Sequence, residues 1–146
     1  MKIYLDVCCL NRPFDDPSQM RVHLEAEAVL GIIKQVEQAE LTWVSRDAVV
    51  YEISKTPNED RRERLWPLES GASERLELTE AVYLEAEKFQ QLGFTALDAL
   101  HIACARTAKV DVFLSTDDKL LKKTRQHIEA IKLHAVNPLA WLQEVI

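Results

Sequence analysis

Three carboxylates in this chain stand where a fold could bring them together. Asp6 closes the opening run Met1-Lys2-Ile3-Tyr4-Leu5, a short apolar stretch with β-branched and aromatic members that reads as a buried strand. Asp98 is the only charged residue between Lys88 and Arg106. Asp117 follows Val-Asp-Val-Phe-Leu-Ser-Thr, a second strand pattern that ends just before it. Carboxylates crowded into a small volume repel one another and raise each other's pKa values, and a divalent cation relieves that repulsion. Hard oxygen donors with room for water suit Mg²⁺ or Mn²⁺. Such ions turn water into a nucleophile and stabilise charge at a phosphorus under in-line attack. A fourth acid is not selected by pattern, since Glu25, Glu27 and Glu52 all sit on helical stretches with mixed faces. A nucleophile–base alternative, Cys8 or Cys9 with His101, lacks a third group to orient it.

Each acid needs an element to hold it. Asp6 and Asp117 are expected at the C-terminal ends of two different strands, Met1–Leu5 and Val110–Ser115. Asp98 lies in the first turn of a helix expected from Ala96 to about Ala108, capped by Thr95. That helix is nearly all apolar or small, as a centrally packed helix must be. An acid in a first turn also complements the helix dipole, so the position has a structural use as well. His101 follows Asp98 at i+3 and shares a face with Leu97 and Cys104, and is read as a packed core histidine beside the site. Asp117 and Asp118 cannot face the same way. Ser115-x-x-Asp118 fits a capping arrangement, which assigns Asp118 to the helix start and leaves Asp117 for the site.

The remaining pattern alternates. Asp16, with Pro17 and Gln19 behind it, is expected to cap a helix running to about Glu37, after a loop at Asn11-Arg12-Pro13-Phe14-Asp15. Leu41–Ser45 reads as a strand, with Ser45 capping the helix that carries Ala48 to Ile53. Thr56-Pro57-Asn58-Glu59 opens a charged helix from Asp60 to Glu69. Arg75–Leu78 is a short edge strand. Thr79 caps a helix ended by Gly93, and Asp118 begins a basic helix to about His127. Ile131–Val136 is a last strand, and Asn137-Pro138 starts a terminal helix. Strands alternating with helices imply an α/β domain with a mainly parallel sheet, taken as one domain over residues 1–146. In such sheets ligands gather beyond the strands' C-terminal ends, where strand order reverses. If the Asp6 and Asp117 strands are neighbours there, the two acids meet.

Composition narrows the classes. The hydrophobic fraction is 47%, the charged fraction 29% and the formal net charge −6. That charge argues against a general nucleic-acid binder, though not against an enzyme with a local basic strip. Arg61, Arg62 and Arg64 on one helix, and Lys119, Lys122, Lys123 and Arg125 on another, are the candidate strips, and either set reads equally as a solvated face. Cys8, Cys9 and Cys104 form neither a disulfide framework nor a zinc spacing, and Cys104 reads as a small buried hydrophobe. No stretch has the length of a membrane span, and the opening residues do not read as a signal peptide, so a cytoplasmic location is expected.

Tyr4-Leu5-Asp6, Glu52, Thr95-Ala96-Leu97-Asp98-Ala99-Leu100-His101-Ile102-Ala103 and Leu114-Ser115-Thr116-Asp117 together resemble the PIN-domain nucleases. The likeness is closest to the VapC-like toxin ribonucleases of type II toxin–antitoxin modules. The resemblance implies a three-layer α/β/α sandwich with a parallel sheet of four or five strands. It implies a metal-dependent endoribonuclease with Mg²⁺ or Mn²⁺ held by Asp6, Glu52, Asp98 and Asp117. Here it is the resemblance that selects Glu52. It further implies that Ser115 or Thr116 orients the acids, that the protein forms homodimers, and that a small antitoxin blocks the active site. Val7 and Cys8 stand where the family often has a hydroxyl residue and then Asn or Ser. The expected consequence is a lost hydrogen bond to Asp6, with Asn11 or Arg12 as compensating candidates. The rival reading is a PIN-like module without catalysis that binds RNA or protein. A haloacid-dehalogenase-type phosphatase would require Asp-x-Asp after the first strand, and Asp6-Val7-Cys8 does not supply it.

Overall fold

The computed structural model describes residues 1–145. Its centre is a parallel five-stranded sheet in the order β3-β2-β1-β4-β5, with β1 at Lys2–Leu5, β2 at Thr42–Arg46, β3 at Glu74–Leu76, β4 at Val112–Leu114 and β5 at Ala135–Val136. The helices are α1 (Val7–Asn11), α2 (Met20–Glu37), α3 (Asp47–Ser54), α4 (Glu59–Glu69), α5 (Glu80–Gln91), α6 (Ala96–Thr107), α7 (Asp118–Gln126), α8 (Ile128–Ile131) and α9 (Pro138–Val145). They enclose the sheet as a three-layer α/β/α sandwich, the expected architecture.

The chain builds the sheet from its middle. From β1 it steps to β2 and then β3, crosses back by way of α5 and α6 to β4 on the other side of β1, and ends on β5. Strand order therefore reverses between β1 and β4. These two strands pair directly, with Ile3 opposite Val112, Tyr4 opposite Phe113 and Leu5 opposite Leu114. The Asp6 amide extends the ladder by donating to the Leu114 carbonyl at 2.9 Å. The condition for Asp6 and Asp117 to approach one another is thus met by adjacent strands at the reversal point.

The central strands are buried on both faces, as parallel strands between helical layers must be. Ile3, Tyr4, Leu5, Phe113 and Leu114 are fully enclosed, and α6 contributes Ala99, Ile102, Ala103, Cys104 and Ala105 to the same core. Small residues let α6 lie close to its neighbours, and it packs along α5. Thr95 caps α6 as expected, accepting from the Asp98 amide, and Thr79 likewise caps α5. Gly93 takes φ +104° between these two helices, a conformation that only glycine adopts without strain.

Several local expectations change. Residues Asn11–Phe14 are not a loop: α1 ends at Asn11 and Arg12–Phe14 form a single 3-10 turn. Asp16 does not cap α2. Its carboxylate folds back onto the Ser18 amide at 3.0 Å, and the helix starts only at Met20, after an extended Gln19. Ser45 does not cap α3, because it lies within β2 and its hydroxyl donates to the buried Glu69 carboxylate. Asn58, rather than Thr56, caps α4 by accepting from the Arg61 amide. The expected strand Ile131–Val136 shortens to β5, because Ile131 ends the short helix α8 and Lys132 turns left-handed after it. Val110–Ser115 likewise shortens to β4. Among the described residues, no helix is long and apolar enough to cross a membrane.

Candidate metal centre

Asp6 follows β1 directly and caps α1. Its Oδ1 accepts from the Val7 amide at 2.9 Å. Its Oδ2 accepts from the Ser115 hydroxyl at 2.8 Å and from the Cys8 thiol at 3.4 Å. The residue is only 7% exposed. Burial pushes its carboxyl above the ordinary range and Glu52 adds to this, while His101 and the hydrogen bonds from Ser115 and Cys8 pull it down.

The expected gap after the first acid is therefore filled from elsewhere. Ser115, arriving on the end of β4, supplies the hydroxyl, and Cys8 itself adds a weak thiol donor. Neither Asn11 nor Arg12 reaches Asp6. The Asn11 amide donates to the Val7 carbonyl and its oxygen accepts from Arg61. Arg12 pairs with Glu25 and Asp15. Thr116 is buried and its backbone N–H donates to the Cys8 sulfur at 3.3 Å.

Glu52 projects from α3 toward the same place. Its Oε1 lies 3.1 Å from His101 Nε2. Asp6, Glu52 and His101 each offer a ligand atom within 4.8 Å of the others, the one such grouping of three among the described residues. His101 is 1% exposed, and its Nδ1 lies 2.6 Å from the Tyr4 hydroxyl. It is thus a packed core histidine and a member of the acid cluster at once. Burial works against its protonation, but the hydrogen bond to Glu52 and the charges of Asp6, Glu52 and Asp98 outweigh this and raise its pKa.

Asp98 and Asp117 line one cavity of about 230 Å³ with Phe94, Thr95, Lys119, Leu120 and Lys123. Burial raises the Asp98 carboxyl, and the charges of Asp6 and Asp117 raise it further. The division of labour between Asp117 and Asp118 differs from expectation. Asp117 caps α7, its Oδ1 accepting from the Lys119 and Leu120 amides at 3.0 and 3.2 Å. Asp118 instead points outward, in a bidentate pair with Arg21 at 2.6 and 2.7 Å. The Asp117 amide donates to the Ser115 hydroxyl at 3.1 Å. Ser115 thus accepts from the Asp117 backbone while donating to Asp6, and it ties the two strand ends together.

The remaining acids and bases sort by contact. Glu25 is buried and accepts from Arg12, Arg21 and Asn137, which makes it a clamp between α2, the 3-10 turn and the end of β5. Glu27 is exposed on α2. Arg61 is held by Asn11, Phe14 and Asp15, Arg62 by the Thr56 carbonyl and Arg64 by Asp60. Arg61 is therefore committed to the fold, whereas Arg64 and Asp60 form an exposed surface pair. On α7, Lys119 and Lys123 face the acidic cavity, and Lys123 sits over the Phe94 ring with its Nζ 2.5 Å from the Gly93 carbonyl. No thiol site forms: Cys9 donates to the Leu114 carbonyl, burial pushes the Cys104 thiol up to about 12, and His101 is engaged by Tyr4 and Glu52.

Sequence reasoning misses Tyr4 and the coupling of His101 to Glu52. Alternation along a strand puts Tyr4 and Asp6 on one face of β1, and the i+3 spacing puts His101 beside Asp98 on α6. Both patterns are legible, but neither identifies a partner on α3.

The family model for the PIN domain matches residues 3–126, which include every acid described above. No curated protein sequence matches the chain. Among solved structures, one chain of VapBC2 from Rickettsia felis, bound to a DNA fragment from its promoter, is similar at a TM-score of 0.56 and 15% identity. That likeness covers 94% of this chain and 98% of the other. It is a likeness of fold over nearly the full length of both, and with the family model spanning most of the sequence, the chain belongs to the PIN domain family.

Proposed function

We propose that the protein is a Mg²⁺- or Mn²⁺-dependent endoribonuclease and the toxin of a type II toxin–antitoxin pair. The observation that carries this reading is the grouping of buried Asp6 with Glu52 and His101. Asp98 and Asp117 line a cavity that does not include those three, and Asp98 feels the charges of Asp6 and Asp117. The donor set fits a hard divalent cation. The nearest groups are carboxylate oxygens, two of the acids have raised pKa values from burial and mutual charge, and Ser115 already fixes one of them in place. In this reading Asp6, Glu52, Asp98 and Asp117 hold the ion. The chemistry it supplies when bound is the generation of hydroxide from water and the stabilisation of charge at phosphorus.

The chain's own residues do the rest. Ser115 and the Val7 amide hold the Asp6 carboxylate in one orientation. The α7 cap fixes one oxygen of Asp117 and leaves the other for the site. Lys119 and Lys123 offer positive charge at the cavity wall, where an RNA backbone approaching an acidic protein needs it. The Ser115 hydrogen bond to Asp6 supports the nuclease reading over a module without catalysis.

The similar Rickettsia felis structure is an assembly on promoter DNA. From the family resemblance we further propose that this chain forms a homodimer in the cytoplasm and has a small antitoxin partner that covers the acid cavity. The test is RNA cleavage with Mn²⁺ and with a chelator, wild type beside Asp98→Asn. Cleavage by wild type with Mn²⁺ alone, abolished in the variant, is the expected result. Equal cleavage by both proteins, or none by wild type loaded with Mn²⁺, would overturn the reading.

A further inference from the structure

His101 is the one non-carboxylate in the cluster, and its two ring nitrogens are both engaged. The Tyr4 hydroxyl is fully buried and lies 2.6 Å from Nδ1. On the other side, Nε2 faces Glu52 Oε1 at 3.1 Å. If Nε2 carried a lone pair, that lone pair would face a carboxylate oxygen, an arrangement without a proton between two acceptors. With the proton on Nε2, both contacts are satisfied: Tyr4 donates to Nδ1, and Nε2–H donates to Glu52. The imidazolium form keeps the Glu52 bond unchanged. In either case the nitrogen nearest the acids is a donor and has no lone pair for a metal.

We infer that His101 is a positioning residue for Glu52 and not a metal ligand, its Nε2–H held toward the Glu52 carboxylate and its ring braced by the Tyr4 hydroxyl. This rests on the reading of Glu52 as an acid of the metal centre. Glu52 is the acid with the longest side chain and stands on α3, away from the β1–β4 reversal that organises Asp6 and Asp117. One of its oxygens is fixed by an almost fully buried imidazole on α6, which is itself stacked edge-on against Tyr4 at 5.8 Å. The relay Tyr4–His101–Glu52 runs from the central strand through α6 to α3. It places one Glu52 oxygen and leaves the other for the ion. Outer partners of this kind fix the orientation of a ligand without touching the metal.

The test uses the full chain and Mn²⁺ as the probe, with three variants. Gln carries an amide NH₂ near the place of Nε2, whereas Asn is too short to reach Glu52. His101→Asn is expected to weaken Mn²⁺ binding by calorimetry about 10–100-fold, and His101→Gln to restore it to within about 3-fold of wild type. Tyr4→Phe, which keeps the imidazole, guards against loss of folding in the other two. It is expected to leave Nε2 protonated as in wild type, read by nitrogen-15 NMR of the metal-free protein, because the Glu52 carboxylate fixes that proton. Pulsed electron paramagnetic resonance of the wild-type Mn²⁺ complex is expected to show no directly coordinated imidazole nitrogen. Imidazole coordination in that spectrum, an Nε2 without a proton in wild type, or equal weakening by Gln and Asn would overturn the inference. Wild-type protein that binds no Mn²⁺ would overturn the metal-centre reading, and this inference with it.

Discussion

Asp6→Asn separates a carboxylate that holds a metal from one that holds the fold. Asp6 and Glu52 have oxygens within 4.8 Å of one another. Two unit charges at that distance repel by about 3 kcal/mol at an effective dielectric of ~20. His101 and the hydrogen bonds from Ser115 and Val7 offset part of this, and asparagine retains an acceptor for Val7 and a polar partner for Ser115. The net relief on removing the charge is then about 1–2 kcal/mol. At ~3 °C per kcal/mol for a chain of this size, the metal-free variant melts about 3–6 °C above metal-free wild type. Mn²⁺ at a hundred times its Kd stabilises wild type by about 2.7 kcal/mol, close to 8 °C on the same scale. In Asp6→Asn a hundredfold weaker site would give only about 1 °C.

The pH dependence has a definite sign. The folded pKa of Asp6 is raised, so its favourable contribution is complete below the unfolded value of about 4 and is lost as pH rises through the folded value. The melting advantage of Asp6→Asn over metal-free wild type therefore grows from pH 4 upward and levels off above the raised pKa. Differential scanning fluorimetry over pH 4–8, with and without Mn²⁺, reads every arm. A metal-free variant that melts several degrees below wild type would make Asp6 a structural carboxylate. An undiminished Mn²⁺ shift in the variant would remove it from the metal centre.

Asp117→Asn and Asp118→Asn separate the two neighbouring acids: asparagine caps helices as well as aspartate at 117, and the Asp118–Arg21 pair is exposed, so neither should melt far from wild type, and only Asp117→Asn should weaken Mn²⁺ binding in calorimetry. Lys119→Gln with Lys123→Gln should raise KM for RNA with little change in kcat, and should flatten the salt dependence of binding by ~0.7 for each phosphate left without its lysine. Lys122→Gln with Arg125→Gln, which lie off the cavity wall, should do neither. Glu25→Ala removes one of two acidic partners from Arg12 and from Arg21 and takes away the acceptor of the Asn137 amide, and should cost about 1–2 kcal/mol in urea unfolding.

Much of the fold is legible because its devices are local. Thr79 and Thr95 cap the helices that their positions predict, and the apolar α6 lies in the core. The misreadings arise where a residue suited to one local job is taken by a distant partner. Ser45 has the chemistry of a cap, but Glu69 on α4 receives its hydroxyl. Asp16 has the chemistry of a cap, but an extended Gln19 separates it from the helix. The Arg61–Arg64 run reads equally as an RNA strip and as a solvated face, and within it Arg61 is taken by Asn11 and Asp15 and Arg62 by the Thr56 carbonyl.

The same distinction explains what the sequence says about the site. Asp6 and Asp117 follow from strand ends, and their approach follows from the one topological fact that β1 and β4 are neighbours. Glu52 does not follow from pattern, because nothing in Ala-Val-Val-Tyr-Glu-Ile-Ser distinguishes an acid facing a site from one facing water. In three dimensions the difference is a single contact, the imidazole of His101 at 3.1 Å. The presence of Val7 and Cys8 in place of a hydroxyl-bearing pair reads as a deficit only while the supporting shell is sought next to Asp6 in sequence. The hydroxyl arrives 109 positions later, on Ser115. It serves two carriers at once, since the Asp117 amide donates to the oxygen whose proton goes to Asp6. Loss of Ser115 would therefore disturb both strand ends together.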